Sequence, residues 1–245
     1  MKPILALLLA ACSDPEKADT SAVDTDTEQP MGGGVVELET RDGITLVADA
    51  YPGDPGAPGI VLLHMIPPGN DRTTWPADFI DTLHAHGWSV LVVDRRGAGD
   101  SGGAAEDAYE GEKGRYDLEA AALWLRDSGA GPLAAIGASN GTTTVLDYAV
   151  WADGEGLPPL VAAGLMTGGT YTENNESFSD MPEIPTVFTF STAERAWSAD
   201  QQGGAPASWA FEEYADGDHG TRMVDAAPEV TADLDAFLAL HLAGS

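Results

Sequence analysis

Leu133-Ala134-Ala135-Ile136-Gly137-Ala138-Ser139-Asn140-Gly141-Thr142-Thr143-Thr144-Val145-Leu146 decides the fold. It opens on a continuous apolar run, the mark of a strand buried on both faces of a parallel sheet. From Thr142 onward, Val145, Leu146 and Ala149 recur at helical spacing instead. The period changes across Gly137-Ala138-Ser139-Asn140-Gly141, a match to G-x-S-x-G. In a chain with 29 glycines that pattern can arise by chance, so its weight comes from its place between a buried strand and a helix. A tight strand-to-helix turn leaves no room for side chains at Gly137 and Gly141, and it lifts the Ser139 hydroxyl above the sheet. The same turn sets Ser139 at a helix N-terminus, where free N–H groups and the helix dipole favour negative charge. Ser139 is therefore the candidate nucleophile; the plainer alternative is a Ser/Asn helix cap beside two packing glycines.

Working outward, the rest of the chain alternates strand and helix. Residues 35–40 and 44–50 are strand-like runs around Arg41-Asp42-Gly43, the signature of a β-hairpin. Further apolar runs lie at 59–64, 90–94, 160–165 and 186–190, with a last strand at 209–214. Helical spacing is predicted over Asp71 to His86, Tyr116 to Leu125, Thr142 to Trp151 and Val230 to Leu242. The expected class is α/β, a doubly wound and mostly parallel sheet with a leading antiparallel hairpin. Ligands in such sheets sit beyond the carboxyl ends of the strands.

A nucleophilic serine needs a base, and Asp216-Gly217-Asp218-His219-Gly220 offers His219 on a loop after the last strand. His84 and His86 on an amphipathic helix, His241 in the C-terminal helix and His64 at a strand end fit surface or structural roles better. The acid that would orient the imidazole should follow the strand before His219, which points to Glu194, with Asp200 as the alternative. Arg195 could instead engage Glu194 in a surface ion pair. An oxyanion hole needs backbone N–H groups, one from Asn140 and one from the loop His64-Met65-Ile66-Pro67-Pro68-Gly69. Prolines cannot donate, so Met65 or Ile66 must.

These residues, from about Val35 to the C-terminus, resemble the α/β-hydrolase superfamily, in particular its small uncapped serine esterases and dienelactone-hydrolase-like members. Gly59 to Trp75 looks like the strand and oxyanion loop of that superfamily. Asp94-Arg95-Arg96-Gly97-Ala98-Gly99-Asp100-Ser101 is similar to its D-x-R-G-x-G-x-S segment, and Asp218-His219-Gly220 to its histidine loop. The order Ser139, Glu194, His219 is that of the superfamily's triad. The chain departs from the pattern in three places: it has His64-Met65 where many members have His-Gly, Glu where Asp is commoner, and Ser139 where dienelactone hydrolases themselves use a cysteine nucleophile, which argues against that particular activity. The resemblance implies hydrolysis of carboxylic esters, or related acyl bonds, in a small-molecule substrate by a monomer without a cofactor. The few residues between Gly169 and Thr186 imply no cap domain. A different class of reading is a catalytically silent fold of this type that serves as a surface binding module.

The chain carries 40 Asp and Glu against 11 Lys and Arg, a formal net charge of -29. A field of that sign repels phosphate backbones, which argues against nucleic-acid partners. No His/Asp cluster shows ligand spacing, so no metal is expected. Cys12, the single cysteine, excludes a disulfide framework within the chain. It follows Met1-Lys2-Pro3 and the short apolar run Ile4 to Ala11, which read as a secretory signal peptide over 1–11. Leu9-Ala10-Ala11-Cys12 resembles the bacterial lipobox, which implies lipidation of Cys12 and attachment to membrane through that anchor alone. Ser13 after it matches an outer-membrane destination in a Gram-negative host. Residues 12–34 are acidic and nearly free of large apolar groups, the composition of a disordered tether. The catalytic-type domain is expected over 35–245.

Overall fold

In the computed structural model of the chain, the described residues are 33–109, 112–169 and 183–243. The expectations for the signal peptide, for Cys12 and for the tether up to residue 32 lie outside them, as does the segment 170–182.

Strands β1 (Gly34–Glu39) and β2 (Thr45–Tyr51) form the leading hairpin, closed by Gly43 N donating to Thr40 O at 2.9 Å. They are followed by β3 (Gly59–Leu63), β4 (Ser89–Val93), β5 (Leu133–Ala138), β6 (Leu160–Met166), β7 (Thr186–Ser191) and β8 (Trp209–Tyr214). All join one 8-stranded sheet of order β1-β2-β4-β3-β5-β6-β7-β8. Strand β2 pairs antiparallel with both β1 and β4, and the remaining pairings are parallel. The helices among the described residues are α1 (Ala77–His84), α2 (Glu106–Tyr109), α3 (Gly114–Asp127), α4 (Gly141–Glu155), α5 (Ala196–Gln201), α6 (Met223–Ala226) and α7 (Glu229–Leu242).

Alternation along each strand sorts the apolar side chains into two cores. Val61, Leu63, Leu91, Val93, Phe188 and Phe190 pack with α3 and α4 through Leu118, Ala121, Leu125, Val145 and Leu146. Ile60, Leu62, Val90, Val92 and Ile136 pack on the other face with α1, α6 and α7 through Phe79, Leu83, Met223, Leu234 and Leu238. Strands β3, β4 and β5 are buried at every residue, as their nearly continuous apolar runs require.

One expected element divides. The helix expected from Asp71 to His86 is a 3-10 turn, Arg72–Thr74, followed by α1. Trp75 precedes a proline and is driven into the extended region at ψ 124, so the helix restarts with Pro76 as its N-cap. Gly87, at φ 76, then turns the chain into β4.

From β3 the chain crosses to β4 on one side of the sheet, then returns to place β5 on the other. The sheet order thus reverses between β3 and β5, where Leu63 lies in register with Gly137. The loops that leave these two strands start side by side at the point where open α/β sheets hold their ligands.

Candidate active site

Ser139 is the first residue past β5 and sits at φ 50, a left-handed conformation that costs a non-glycine residue of order 1–3 kcal/mol. The turn is held on both sides. Ser139 N donates to Met166 O at 2.8 Å, and Ser139 O accepts from Thr142 N at 2.9 Å and from Thr142 Oγ1 at 2.6 Å. Because a peptide is planar and trans, a carbonyl pinned by Thr142 points the following N–H, that of Asn140, the opposite way. A Cβ on Gly141 would lie 2.5 Å from the Leu63 carbonyl oxygen, and one on Gly137 would meet the Gly141 carbonyl. Both glycines are therefore close-approach positions, as the motif requires.

His219 reaches Ser139 from the loop after β8. Its Nε2 lies 2.7 Å from Ser139 Oγ and its Nδ1 2.6 Å from Glu194 Oε2. Glu194 closes a 3-10 turn, Thr192–Glu194, that directly follows β7. Arg195 does not pair with Glu194 but turns to Glu213, 3.5 Å away. The carboxylate on His219 is that of Glu194; Asp200, the alternative, lies farther along in α5. A carboxylate on Nδ1 fixes the tautomer that leaves Nε2 free to take the serine proton, and it stabilises the imidazolium that results.

Two residues that hold the histidine loop escaped the sequence reading. Thr167, at φ 46 just past β6, donates its N–H to Thr189 O at 2.7 Å and accepts from Gly220 N on its hydroxyl at 2.7 Å. Asp218, at φ 51, accepts from His219 N at 2.6 Å and from Arg222 Nε at 3.2 Å. Nothing in the pattern around Thr167 separates it from the chain's other threonines. Asp218 carried a signal, since Asp and Asn tolerate the left-handed region and bond locally to their own backbone.

Met65 is buried and Ile66 is 44% exposed on the loop after β3. Among the described residues no backbone carbonyl accepts from the N–H of Met65, Ile66 or Asn140. His64 and Arg95 shape this loop. Arg95 N donates to His64 Nε2 at 2.9 Å, so the His64 proton is on Nδ1 and is given to Met65 O at 2.7 Å. Burial and the neighbouring Arg95 charge hold the His64 pKa down at about 3, so the ring is neutral. The Arg95 guanidinium is fully buried; Nη1 donates to Asn140 Oδ1 at 2.9 Å, and Nη2 to Ala108 O at 2.9 Å and Thr144 Oγ1 at 3.0 Å.

The rest of the segment after β4 is scaffolding. Buried Asp94 accepts from Arg72 N at 2.7 Å and Asp100 N at 2.9 Å and pairs with the Arg72 guanidinium. Arg96 holds Asp117 at 2.7 Å and Asp42 at 2.9 Å, while Ser101 Oγ ties Asp94 O to Val47 N. Of the other histidines, His84 bonds Trp88 O and His86 pairs with Asp235, both structural contacts.

No family model and no curated protein matches the sequence. The fold does match solved structures. It is similar to the esterase Pf2001 of Pyrococcus furiosus, with a TM-score of 0.66 at 18% identity over 86% of this chain and 94% of that one. It is also similar to XC6422 of Xanthomonas campestris, described as a serine hydrolase without lid, with a TM-score of 0.65 at 15% identity over 88% and 98% of the two chains. A dienelactone hydrolase of Anabaena variabilis aligns with a TM-score of 0.66 at 15% identity over 86% and 98%. The sheet order, the single reversed strand and these likenesses together establish that the chain has the α/β-hydrolase fold.

Proposed function

We propose that the chain is a serine hydrolase that cleaves carboxylic esters of small molecules through an acyl-enzyme. The observation that carries this reading is the unbroken hydrogen-bond path Glu194–His219–Ser139, at 2.6 and 2.7 Å, ending on a serine held at φ 50. His219 Nε2 takes the Ser139 proton as Oγ attacks the ester carbonyl, and Glu194 steadies the imidazolium. The negative charge that develops on the carbonyl oxygen is met by N–H of Asn140 and by N–H of Met65 or Ile66. His219 then protonates the departing alkoxide. Water, deprotonated by the same ring, attacks the acyl-enzyme and releases the acid and Ser139. The similar structures, an esterase, a serine hydrolase and a dienelactone hydrolase, agree with this reading.

Turnover of short-chain p-nitrophenyl esters by the wild type, lost at least 10³-fold in Ser139→Ala, is the expected result. A folded wild-type protein with no turnover and no fluorophosphonate labelling at Ser139 would overturn the proposal in favour of a silent binding module. We also propose, from residues 1–34 alone, that the protein is exported and anchored through lipid on Cys12. Mass spectrometry of the N-terminal peptide from the native host tests this; an unmodified Cys12 contradicts it.

A further inference from the structure

We infer that Arg95 is a positioning residue for the oxyanion hole, aligning and polarising the two peptide groups from which its second donor comes. The inference rests on the reading of Ser139 as nucleophile. Arg95 Nη1 is directed at two successive carbonyls, His64 O and Met65 O, each at 3.4 Å, besides Asn140 Oδ1 at 2.9 Å. The His64 carbonyl shares its peptide plane with the Met65 N–H, and the Met65 carbonyl shares its plane with the Ile66 N–H. In a planar trans peptide a carbonyl drawn toward the guanidinium points its N–H away from it. Arg95 therefore directs the Met65 N–H through the His64 carbonyl, and it directs the Ile66 N–H jointly with His64 Nδ1, which donates to the same Met65 carbonyl at 2.7 Å. A cation on the carbonyl side also polarises the amide and strengthens it as a donor.

The placement of the charge supports a catalytic rather than a purely cohesive purpose. Arg95 is wholly buried, yet no carboxylate among the described residues lies within ion-pair distance of its guanidinium; its contacts are carbonyls, an amide and a hydroxyl. A buried ion without a paired countercharge is expensive, and an apolar side chain of similar volume is commonly the more stable filling. Burial lowers its pKa to about 10, with Asp117 and Asp147 opposing from a distance, so it remains a cation at neutral pH. Its field then favours the negative charge that forms on the substrate carbonyl, in a site where low polarisability makes such a field effective. Arg95 occupies the variable position between Asp94 and Arg96 of the segment after β4, where a resemblance to the superfamily's motif assigns no role.

The test is Arg95→Met and Arg95→Lys in the full chain, assayed on a p-nitrophenyl ester and with a trifluoromethyl ketone that forms a tetrahedral oxyanion on Ser139. In Arg95→Met kcat is expected to fall about 10²-fold with KM within threefold, and ketone affinity to fall in step with kcat/KM. Arg95→Lys should recover part of both, and added guanidinium should raise the rate of Arg95→Ala. A folded Arg95→Met that keeps kcat within threefold overturns the inference. So does a kcat loss with unchanged ketone affinity, which would mark a structural role. If these variants do not fold, Thr144→Val removes one far-side acceptor at nearly constant volume; a several-fold loss of kcat at constant KM is expected, and wild-type kcat overturns the inference. A wild type inert to both ester and fluorophosphonate overturns the hydrolase reading itself, a result the Arg95 series cannot produce alone.

Discussion

Ser139 is 5% exposed, while the side chains of His219 and Glu194 are 30% and 41% exposed. The proposed nucleophile and its relay thus sit in different dielectric surroundings, and this sets how much each deletion should cost. An acid in contact with water can be replaced in part by a solvent acceptor on Nδ1, so its loss matters less than that of a buried one. Glu194→Ala should lower kcat about 10²- to 10³-fold, short of the roughly 10⁴-fold seen for a buried triad acid. Asp200→Ala should leave ester turnover within twofold; an equal loss in both variants would reassign the acid. Thr167 acts one bond further back. Thr167→Val keeps the shape but strands the Gly220 N–H, a buried donor whose loss of partner costs about 1–3 kcal/mol. The loop carrying His219 should shift, with kcat down at least tenfold and a lower thermal midpoint; wild-type kcat would mean another acceptor takes over. Sequence reading singled out Ser139, His219 and Glu194, which the fold brings within hydrogen-bond distance, because each follows a strand in the order the proposed chemistry needs. It passed over Thr167 and Arg95 because their roles depend on which distant backbone groups they meet, and only the folded sheet decides that.

At the scale of elements, α4 is pressed against β3 at the nucleophile turn, where Gly141 meets the Leu63 and His64 carbonyls. The neighbour in the way is backbone in the middle of the sheet, which cannot swing aside as a side chain can. Gly141→Ala should therefore cost about 1–3 kcal/mol, with loss of ester turnover, although alanine favours helix at an ordinary position. Chemical denaturation checks this: a variant as stable as wild type would mean that the turn is looser than its contacts imply. Elements buried on both faces were the most legible. The runs read at 59–64, 90–94 and 133–137 became β3, β4 and β5, since an apolar segment that short, rich in β-branched residues or bounded by turn residues, favours a strand covered from both sides over a helix. The ends of helices were less so. The expected helix over 71–86 gave way at Trp75 because the pre-proline restriction outweighs a well-spaced apolar face. The short α2 was not foreseen: four residues give no periodicity, and Ala108 O matters there only as an acceptor for Arg95.

For the molecule as a whole, two groups remove stability in acid, each in its own pH window. His64 titrates at about 3 in the fold against 6.5 when free, because burial and the Arg95 charge disfavour its cation. Below pH 6.5 the unfolded chain gains a proton that the folded one refuses, so stability present in full above about pH 6.5 is lost progressively toward about pH 3. The loss approaches about 1.4 kcal/mol per pH unit from this one ring. Asp42 acts later: hydrogen bonds from Arg96 hold its carboxyl at about 2 instead of 3.8, so its contribution fades only as pH falls from about 4 to about 2. The net charge of -29 works the other way, since protonating unpaired carboxylates near pH 4 relieves self-repulsion. Between pH 6.5 and 5 the contribution of His64 is the difference in slope between two chains that differ at that ring alone. Urea denaturation at pH 7.5, 6.5, 5.5 and 5.0, in enough salt to screen surface charge, isolates this when wild type is compared with His64→Gln. The variant should start less stable, having lost the acceptor for Arg95 N, but its stability should fall by about 1 kcal/mol per unit less below pH 6.5. Parallel slopes would show that the ring takes up its proton inside the fold. The loop carrying Met65 and Ile66 would then have to tolerate a cation next to Arg95, which its two shared hydrogen bonds leave no room for.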